Sequence, residues 1–196
     1  MASTQQLRQR IKSVKNTKQI TKAMEMVAAS KLRRAQDAAQ RSREFAKIAN
    51  ELLTRIRQLT DVKNHPLFIR RDIKNRLIIV VASDRGLAGG YNASLLKQFA
   101  NELKNDKAEG VANKIITIGK KATAFTAKVH DLEVLGAYHD FVDNPKAEDL
   151  RPILITALQG FENGDYDAVD IVYTDFISSV NQVARTARLL PVAFDN

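Results

Sequence analysis

Arg76-Leu77-Ile78-Ile79-Val80-Val81-Ala82-Ser83 runs directly into Asp84-Arg85-Gly86-Leu87-Ala88-Gly89-Gly90-Tyr91-Asn92. The first eight residues are rich in β-branched side chains and lack polar alternation, the pattern of a strand buried on both faces. The Gly-rich stretch is a turn, and Ala93 to Lys104 is the helix it opens into. The alternation continues outward. Lys114-Ile115-Ile116-Thr117-Ile118-Gly119 predicts a second strand and Lys120 to Lys128 a second helix. Val129 to Tyr138 holds a weaker strand. Pro145 to Glu162 predicts a third helix, with Asn144 as its cap and Pro145 in its first turn. Ala168 to Thr174 is a further strand, and Gln182 to Leu190 another. Strand and helix taking turns implies an α/β domain with an open, mainly parallel sheet and helices on its faces.

Upstream of that domain the pattern changes. No Pro occurs before Pro66 and no Gly before Gly86, and the intervening residues are dominated by Ala, Gln, Lys, Arg, Leu and Glu. These are strong helix formers. Ser3 is placed as N-cap, with Gln6 at the reciprocal capping-box position. The helix should stop near Asp61–Pro66, where Asn64 and His65 precede a proline. A helix of about 58 residues spans roughly 85 Å. A compact domain of this size has a radius of gyration of only about 16 Å. Such a helix must protrude.

Charge follows the same division. The chain carries a net charge of +9; residues 1–60 hold 14 Lys/Arg against 4 Asp/Glu, and the remainder 17 against 18. A basic third joined to a neutral remainder implies an acidic partner: nucleic acid, an anionic membrane surface or an acidic protein face. Leu32, Ala35, Ala39, Ser42, Ala46, Ala49, Leu53 and Ile56 recur at alternating three- and four-residue steps. That is the period of a coiled-coil seam, and its small residues allow close approach of a partner helix. Earlier, Leu7, Ile11 and Val14 begin a stripe whose register then meets Lys18, Thr21 and Glu25. Arg8, Lys12, Lys15 and Lys22 fall within about 80° of one another and form a basic ridge. The ridge is either a solvated face of a coiled coil or a shaft surface turning against acidic loops.

Several function classes are excluded or weakened. The 196 residues are 44% hydrophobic and 27% charged, a globular composition. No run approaches the roughly 18 apolar residues of a membrane span. The beginning of the chain has no apolar segment of the kind a secretory signal needs. Cysteine is absent, so disulfides, thiolate metal sites and thiol catalysis are excluded, in keeping with a reducing compartment. His65, His130 and His139 have no metal-ligand spacing. The Gly-rich turn sits where phosphate is often cradled. Yet Gly86, Gly89 and Gly90 do not form the dinucleotide fingerprint, and no Lys-Ser/Thr follows. These glycines therefore read as a structural turn that lets a helix pack on a sheet. Asp84 has no second carboxylate nearby in sequence to share a metal. Ser178-Ser179 beside Asn181-Gln182 lacks a nucleophile elbow and a positioned His, which favours a turn or a partner contact. No catalytic, cofactor-binding or metal residue is assigned. Two alternatives stay open: a nucleotide-binding α/β protein, and a nucleic-acid-binding protein with a basic helix. Residues 1–44 contain no Phe, Tyr or Trp, so base stacking is unavailable to that segment.

Arg10-Ile11-Lys12-Ser13-Val14-Lys15-Asn16-Thr17-Lys18-Gln19-Ile20-Thr21-Lys22-Ala23-Met24-Glu25-Met26-Val27-Ala28-Ala29-Ser30-Lys31-Leu32-Arg33-Arg34-Ala35 resembles the N-terminal signature of the gamma subunit of F-type ATP synthase. Ser83 to Asn92, Tyr173-Thr174-Asp175-Phe176 and Leu189-Leu190-Pro191 extend the resemblance in family order. The resemblance implies a long shaft helix (residues 1–64), a linker (65–75) and a Rossmann-like foot domain (76–196). It implies a rotor that catalyses nothing itself and binds no cofactor. Its partners would be the alpha and beta subunits of the catalytic hexamer, the epsilon subunit and the membrane c-ring, without nucleic acid. Its place would be the cytoplasmic side of a bacterial inner membrane, as a peripheral protein. Met24 would lie near an acidic loop of beta, with Arg8, Lys12, Lys15, Lys18, Lys22, Lys31, Arg33 and Arg34 as candidates for the hexamer contact. Family members continue for roughly a further third into a second shaft helix, and nothing after Pro191 has the composition to form it, so that helix is expected to be absent.

Overall fold

The computed structural model describes residues 3–59, 65–140 and 147–192, and the chain divides into two compact units, Met1–Arg55 and Ile56–Asn196. The first unit is helix. Helix α1 runs from Thr4 to Leu59, 56 residues without interruption, or roughly 84 Å at 1.5 Å per residue. Its start is the expected capping box. Ser3 Oγ accepts the Gln5 amide at 3.2 Å, and Gln6 Oε1 accepts the Ser3 amide at 3.2 Å. Side-chain oxygens thus satisfy amides that the first turn leaves without partners. The predicted stop falls mostly on residues outside those described. Beyond it, His65 Nδ1 accepts the Leu67 amide at 3.3 Å and caps a short 3-10 turn at Pro66–Phe68.

The second unit builds a five-stranded sheet. In chain order come β1 (Asn75–Val81), α2 (Tyr91–Glu109), β2 (Ala112–Ile118), α3 (Lys120–Thr126), β3 (Glu133–Tyr138), α4 (Ala147–Asn163), β4 (Ala168–Phe176) and β5 (Gln182–Leu190). The spatial order is β3-β2-β1-β4-β5, with the first four parallel and β5 antiparallel to β4. This is the open, mainly parallel α/β architecture that the alternation predicts. The Asn144 cap and the Pro145 first turn of the third predicted helix lie outside the described residues.

Strand β1 sits at the centre because both of its faces are apolar. Leu77 and Ile79 point to one side, where Ile116 and Val169 join them under Ile153, Ala157 and Phe161 of α4. Ile78, Val80 and Ala82 point to the other, where Ile115 and Val172 meet Leu95 and Phe99 of α2 and Ala122 of α3. Each Val, Leu, Ile or Phe among them contributes about 1.5–3 kcal/mol on burial. Gly119, between β2 and α3, has φ +95°, and a Cβ there would lie 2.2 Å from the Ala82 carbonyl oxygen. Only glycine lets the end of β2 pass so close to the end of β1.

One part of the interior is ionic. Arg76, at the start of β1, and Asp170, on β4, are 7% and 2% exposed. Asp170 is bound by the Arg76 Nε and by the Arg188 Nε, and its Oδ2 accepts Arg188 Nη2 at 3.1 Å. Arg76 Nη1 reaches across to α2, donating to Glu102 Oε2 and to both Asp106 oxygens at 3.0 Å. Glu102 Oε1 in turn accepts Thr186 Oγ1 of β5 at 2.8 Å and Gln98 Nε2 at 3.0 Å. Burial opposes the Arg76 charge, but Asp170 and Asp106 outweigh it and raise its pKa, so the guanidinium stays charged. The network ties β1, β4, β5 and α2 together at a single point.

A second carboxylate holds the start of β1. Asp167 Oδ2 accepts the Lys74 and Asn75 amides at 2.9 and 3.0 Å. Burial acts to raise its pKa, but those two amides, with the charges of Arg71 and Lys74, outweigh burial and hold it below the ordinary value of 3.8. A depressed folded pKa gives stability that is present above the unfolded value and lost as pH falls through the folded one.

Two predictions follow for this unit. Arg76→Ala leaves Asp106 buried without its cation and Asp170 with Arg188 alone, and should cost about 3–5 kcal/mol in urea unfolding of the chain; a loss below about 1 kcal/mol would show that the network is not stabilising. Asp167→Asn should lower the melting temperature at neutral pH. Its deficit against the wild type should shrink once the pH is taken below 3.8, and a deficit that stays constant down to about pH 2 would contradict the assignment.

Candidate functional surfaces

Helix α1 offers surface and no interior: among its described side chains none is buried, and most are exposed. An unbroken helix fixes the phase of each residue at about 100° per step, so the candidate residues can be sorted by face. Arg8, Lys12, Lys15, Lys18, Lys22 and Arg33 fall within roughly 120° of one another. Lys22 Nζ pairs with Glu25 Oε2 at 2.9 Å on the same helix, so its charge is partly answered. Arg34 reaches Ser30 Oγ at 3.4 Å. Met24 and Lys31 lie roughly 160–180° around from the centre of the ridge. Met24 is 52% exposed and is joined on its face by Ile20 and Val27. The helix therefore presents a cationic side and an apolar side at the same height.

The seam is open as well. Leu32 and Leu53 are 46% and 37% exposed. Ala35 and Ala46 are exposed, and Ala39 and Ala49 half-buried. The Ile56 side chain lies outside those described. Sequence periodicity had not picked out a further stripe: Phe45, Ile48 and Leu52 at 75%, 58% and 55% exposed. It sits roughly 100° from the local seam. Its three- and four-residue steps were legible, but the seam register masked them.

The Gly-rich turn is a turn and little else. A Cβ on Gly86 or Gly89 would meet no atom within 4 Å, and one on Gly90 only Ser94 Oγ at 4.0 Å. Gly89 needs its residue type for φ +54°. The close approach between strand ends is made at Gly119 instead. Ser83 accepts Asn92 Nδ2 at 2.9 Å across the turn. The Asp84 carboxylate is spent on structure: Oδ1 accepts the Lys120 amide at 2.9 Å and Oδ2 the Asp140 amide at 3.0 Å, joining the ends of β1, β2 and β3. Lys120 Nζ binds Asp140 Oδ1 at 2.6 Å and His139 Nδ1 lies 2.8 Å from Oδ2; hydrogen bonding to the Lys120 and His139 side chains lowers the Asp140 pKa. Among the described residues no group of three metal-ligating side chains occurs. Ser178 Oγ accepts the Asn181 amide at 3.0 Å within the β4–β5 hairpin, the role of a turn residue.

The carboxyl edge of the sheet carries apolar side chains that no core explains. Leu87, after β1, is 94% exposed with φ +60°. Ile177 and Val180, after β4, are 46% and 97% exposed. Since β1 and β4 are parallel neighbours, both loops leave the same end of the sheet. The arrangement as a whole supplies contact surface, with no constellation suited to catalysis among the described residues.

A protein-family model described as ATP synthase matches residues 3–196. The ATP synthase gamma chain of Cupriavidus metallidurans is 37% identical over 195 residues, covering 100% of this chain and 67% of its own length. That of Ralstonia nicotianae shows the same identity and coverage, and that of Stenotrophomonas maltophilia is 37% identical over 193 residues, again 67% of its length. In fold, the chain is similar to a chain of the central stalk and c-ring structure of Tetrahymena thermophila mitochondrial ATP synthase, with TM-score 0.64, 24% identity, and 88% of this chain and 72% of that one covered. A chain of the Euglena gracilis mitochondrial ATP synthase rotor gives TM-score 0.58 at 17% identity, covering 93% and 61%. The chain belongs to the ATP synthase gamma-chain family.

Proposed function

We propose that this chain is the central-stalk subunit of a proton-translocating ATP synthase, a non-catalytic rotor that links a membrane c-ring to the alpha–beta hexamer where nucleotides react. The observation that carries the proposal is the exposed helix α1, whose faces differ in chemistry at one height. A shaft can place three like catalytic sites in unlike states only if it is not rotationally symmetric. At the level of residues 18–27, Lys18 and Lys22 on one side and Ile20, Met24 and Val27 on the other supply that asymmetry, and Arg8, Lys12 and Lys15 continue the cationic side toward the helix start. Facing acidic loops of beta, the cationic side would be attracted and the apolar side would not. Exposed ion pairs are worth about 1 kcal/mol or less each, so the attraction should be strongly salt-dependent. The seam from Leu32 to Ile56 suits a second helix of the shaft. The α/β unit would serve as the foot, toward the epsilon subunit and the ring. No described helix is long and apolar enough to cross a membrane, which accords with a peripheral place on the cytoplasmic side of a bacterial inner membrane.

The test is assembly with the alpha–beta hexamer of the same source, followed by size-exclusion chromatography at low and high salt. A complex that is stable at low salt is expected. Lys12→Glu with Lys15→Glu should weaken it by roughly tenfold or more at low salt, because two attractions become repulsions. Unchanged affinity would remove the ridge from the contact. Met24→Lys, introduced into the assembled enzyme, places a charge on the apolar side. It should lower the number of protons pumped per ATP hydrolysed while leaving assembly intact, and a wild-type ratio would refute a coupling role for that face. If the chain instead binds duplex DNA with a steep salt slope and ignores the hexamer, the ridge is a nucleic-acid surface.

A further inference from the structure

The amino end of the sheet carries a feature that the rotor reading neither uses nor requires. Arg70, Arg71 and Arg188 line one cavity of about 310 Å³, together with Ile73 and Pro191, and no carboxylate is among its lining residues. Arg70 precedes β1 on the segment leading into the sheet, whereas Arg188 lies near the end of β5, so residues more than a hundred positions apart converge here.

Two of the three guanidinium groups are held in place from behind. Arg71 Nη1 donates to the Phe161 carbonyl at 2.9 Å, and its guanidinium carbon lies 4.9 Å from the centroid of the Phe161 ring. Arg188 is fixed through Nε and Nη2 on Asp170, itself 2% exposed. Each is pinned through part of its fork, and Arg71 Nε and Nη2, Arg188 Nη1 and the whole of Arg70 have no acceptor among the described residues. Asp170 answers much of the Arg188 charge and Asp167 part of that of Arg71, but the N–H groups left over, with the whole Arg70 guanidinium, line the cavity with donors and no acceptor, and planar guanidinium forks match the oxygens of a phosphate. A neighbouring cavity shares Arg71, Ile73 and Arg188 but adds Asp72, Asp106 and Glu109. Those carboxylates exclude a dianion there and confine it to the Arg70 end.

We propose that Arg70, Arg71 and Arg188 form a binding site for a phosphoryl group, with Ile73 and Pro191 as the apolar wall for the organic part of a phosphate ester. The phosphoryl group can come from a soluble ester or free phosphate, or from the headgroup of an anionic phospholipid.

The experiment separates these sources and separates the site from the basic helix. The full chain, with arginine side chains labelled with nitrogen-15, is titrated with inorganic phosphate at constant ionic strength. In parallel it is sedimented with phosphatidylglycerol–phosphatidylcholine vesicles. Arg70→Gln is the test variant, because Arg70 is exposed and outside the buried network; preserved spectra elsewhere verify its fold. Lys12→Gln with Lys15→Gln is the control for nonspecific attraction. The expected result is at least a fivefold loss on Arg70→Gln and none on the helix control. Loss in the phosphate arm assigns a soluble source, and loss in the vesicle arm alone assigns a headgroup. The proposal is overturned if the wild type binds in neither arm, if Arg70→Gln leaves both arms unchanged, or if binding vanishes with the helix control instead.

Discussion

Asp170 stands between two arginines in the interior of the α/β unit, and the amino end of the sheet is arranged around it. A buried carboxylate is costly unless its charge and lone pairs are answered in full. Arg76 and Arg188 answer both oxygens, but each brings a buried or half-buried cation that needs further partners. Arg76 finds them on α2, in Glu102 and Asp106, and Glu102 is then satisfied by Thr186. The requirement for complete pairing thus spreads from one residue to three strands and a helix. An apolar cluster of equal volume would tolerate small slips. Ion pairs do not, and Asp170↔Arg188 is the register pair that follows the irregularity between Val169 and Asp170. The same fixation of Arg188 leaves one edge of its guanidinium turned into the arginine-lined cavity.

Helix α1 obeys the opposite logic. It has no interior, so its sequence is free to encode surface. Backbone hydrogen bonds and a capping box hold it; most of the remaining information lies in which side chain faces which way. A cationic ridge, an apolar face opposite it, an alanine-rich seam and the Phe45 stripe can share one rod because each occupies its own sector. Under the rotor function proposed above, that layout has a purpose: a rod whose faces differ is useful only when something encircles or accompanies it.

The central strands, the helices between them and the unbroken first helix were legible because each depends on local pattern. β1 was readable as a two-sided buried strand from its β-branched run alone. The antiparallel course of β5 was legible in principle, since five residues after Phe176 are too few for a crossover back to a parallel neighbour. The Gly-rich turn drew attention by composition, yet the glycines that packing requires lie elsewhere, among them Gly119 against Ala82 and Gly160 against Tyr166, whose sequence contexts give no warning. The faces of α1 were readable in part: the ridge and seam follow from spacing, while the separation of Met24 from the ridge emerges only when the helical phase is carried continuously from Arg8 to Arg34.

What the sequence by itself determined is therefore whatever rests on neighbours three, four or two residues apart: the long helix, its N-terminal cap, its faces, the α/β alternation and the family signature. Tertiary structure alone decided what rests on distant residues brought together. Arg76 and Asp170 are 94 positions apart, Asp84 serves the ends of three strands, and Arg70 meets Arg188 across the whole domain. The physical reason is that helix and strand periodicity arise from the backbone's own repeat. Charge pairing and cavity lining depend on strand order and register, which burial of both faces of the central strands selects.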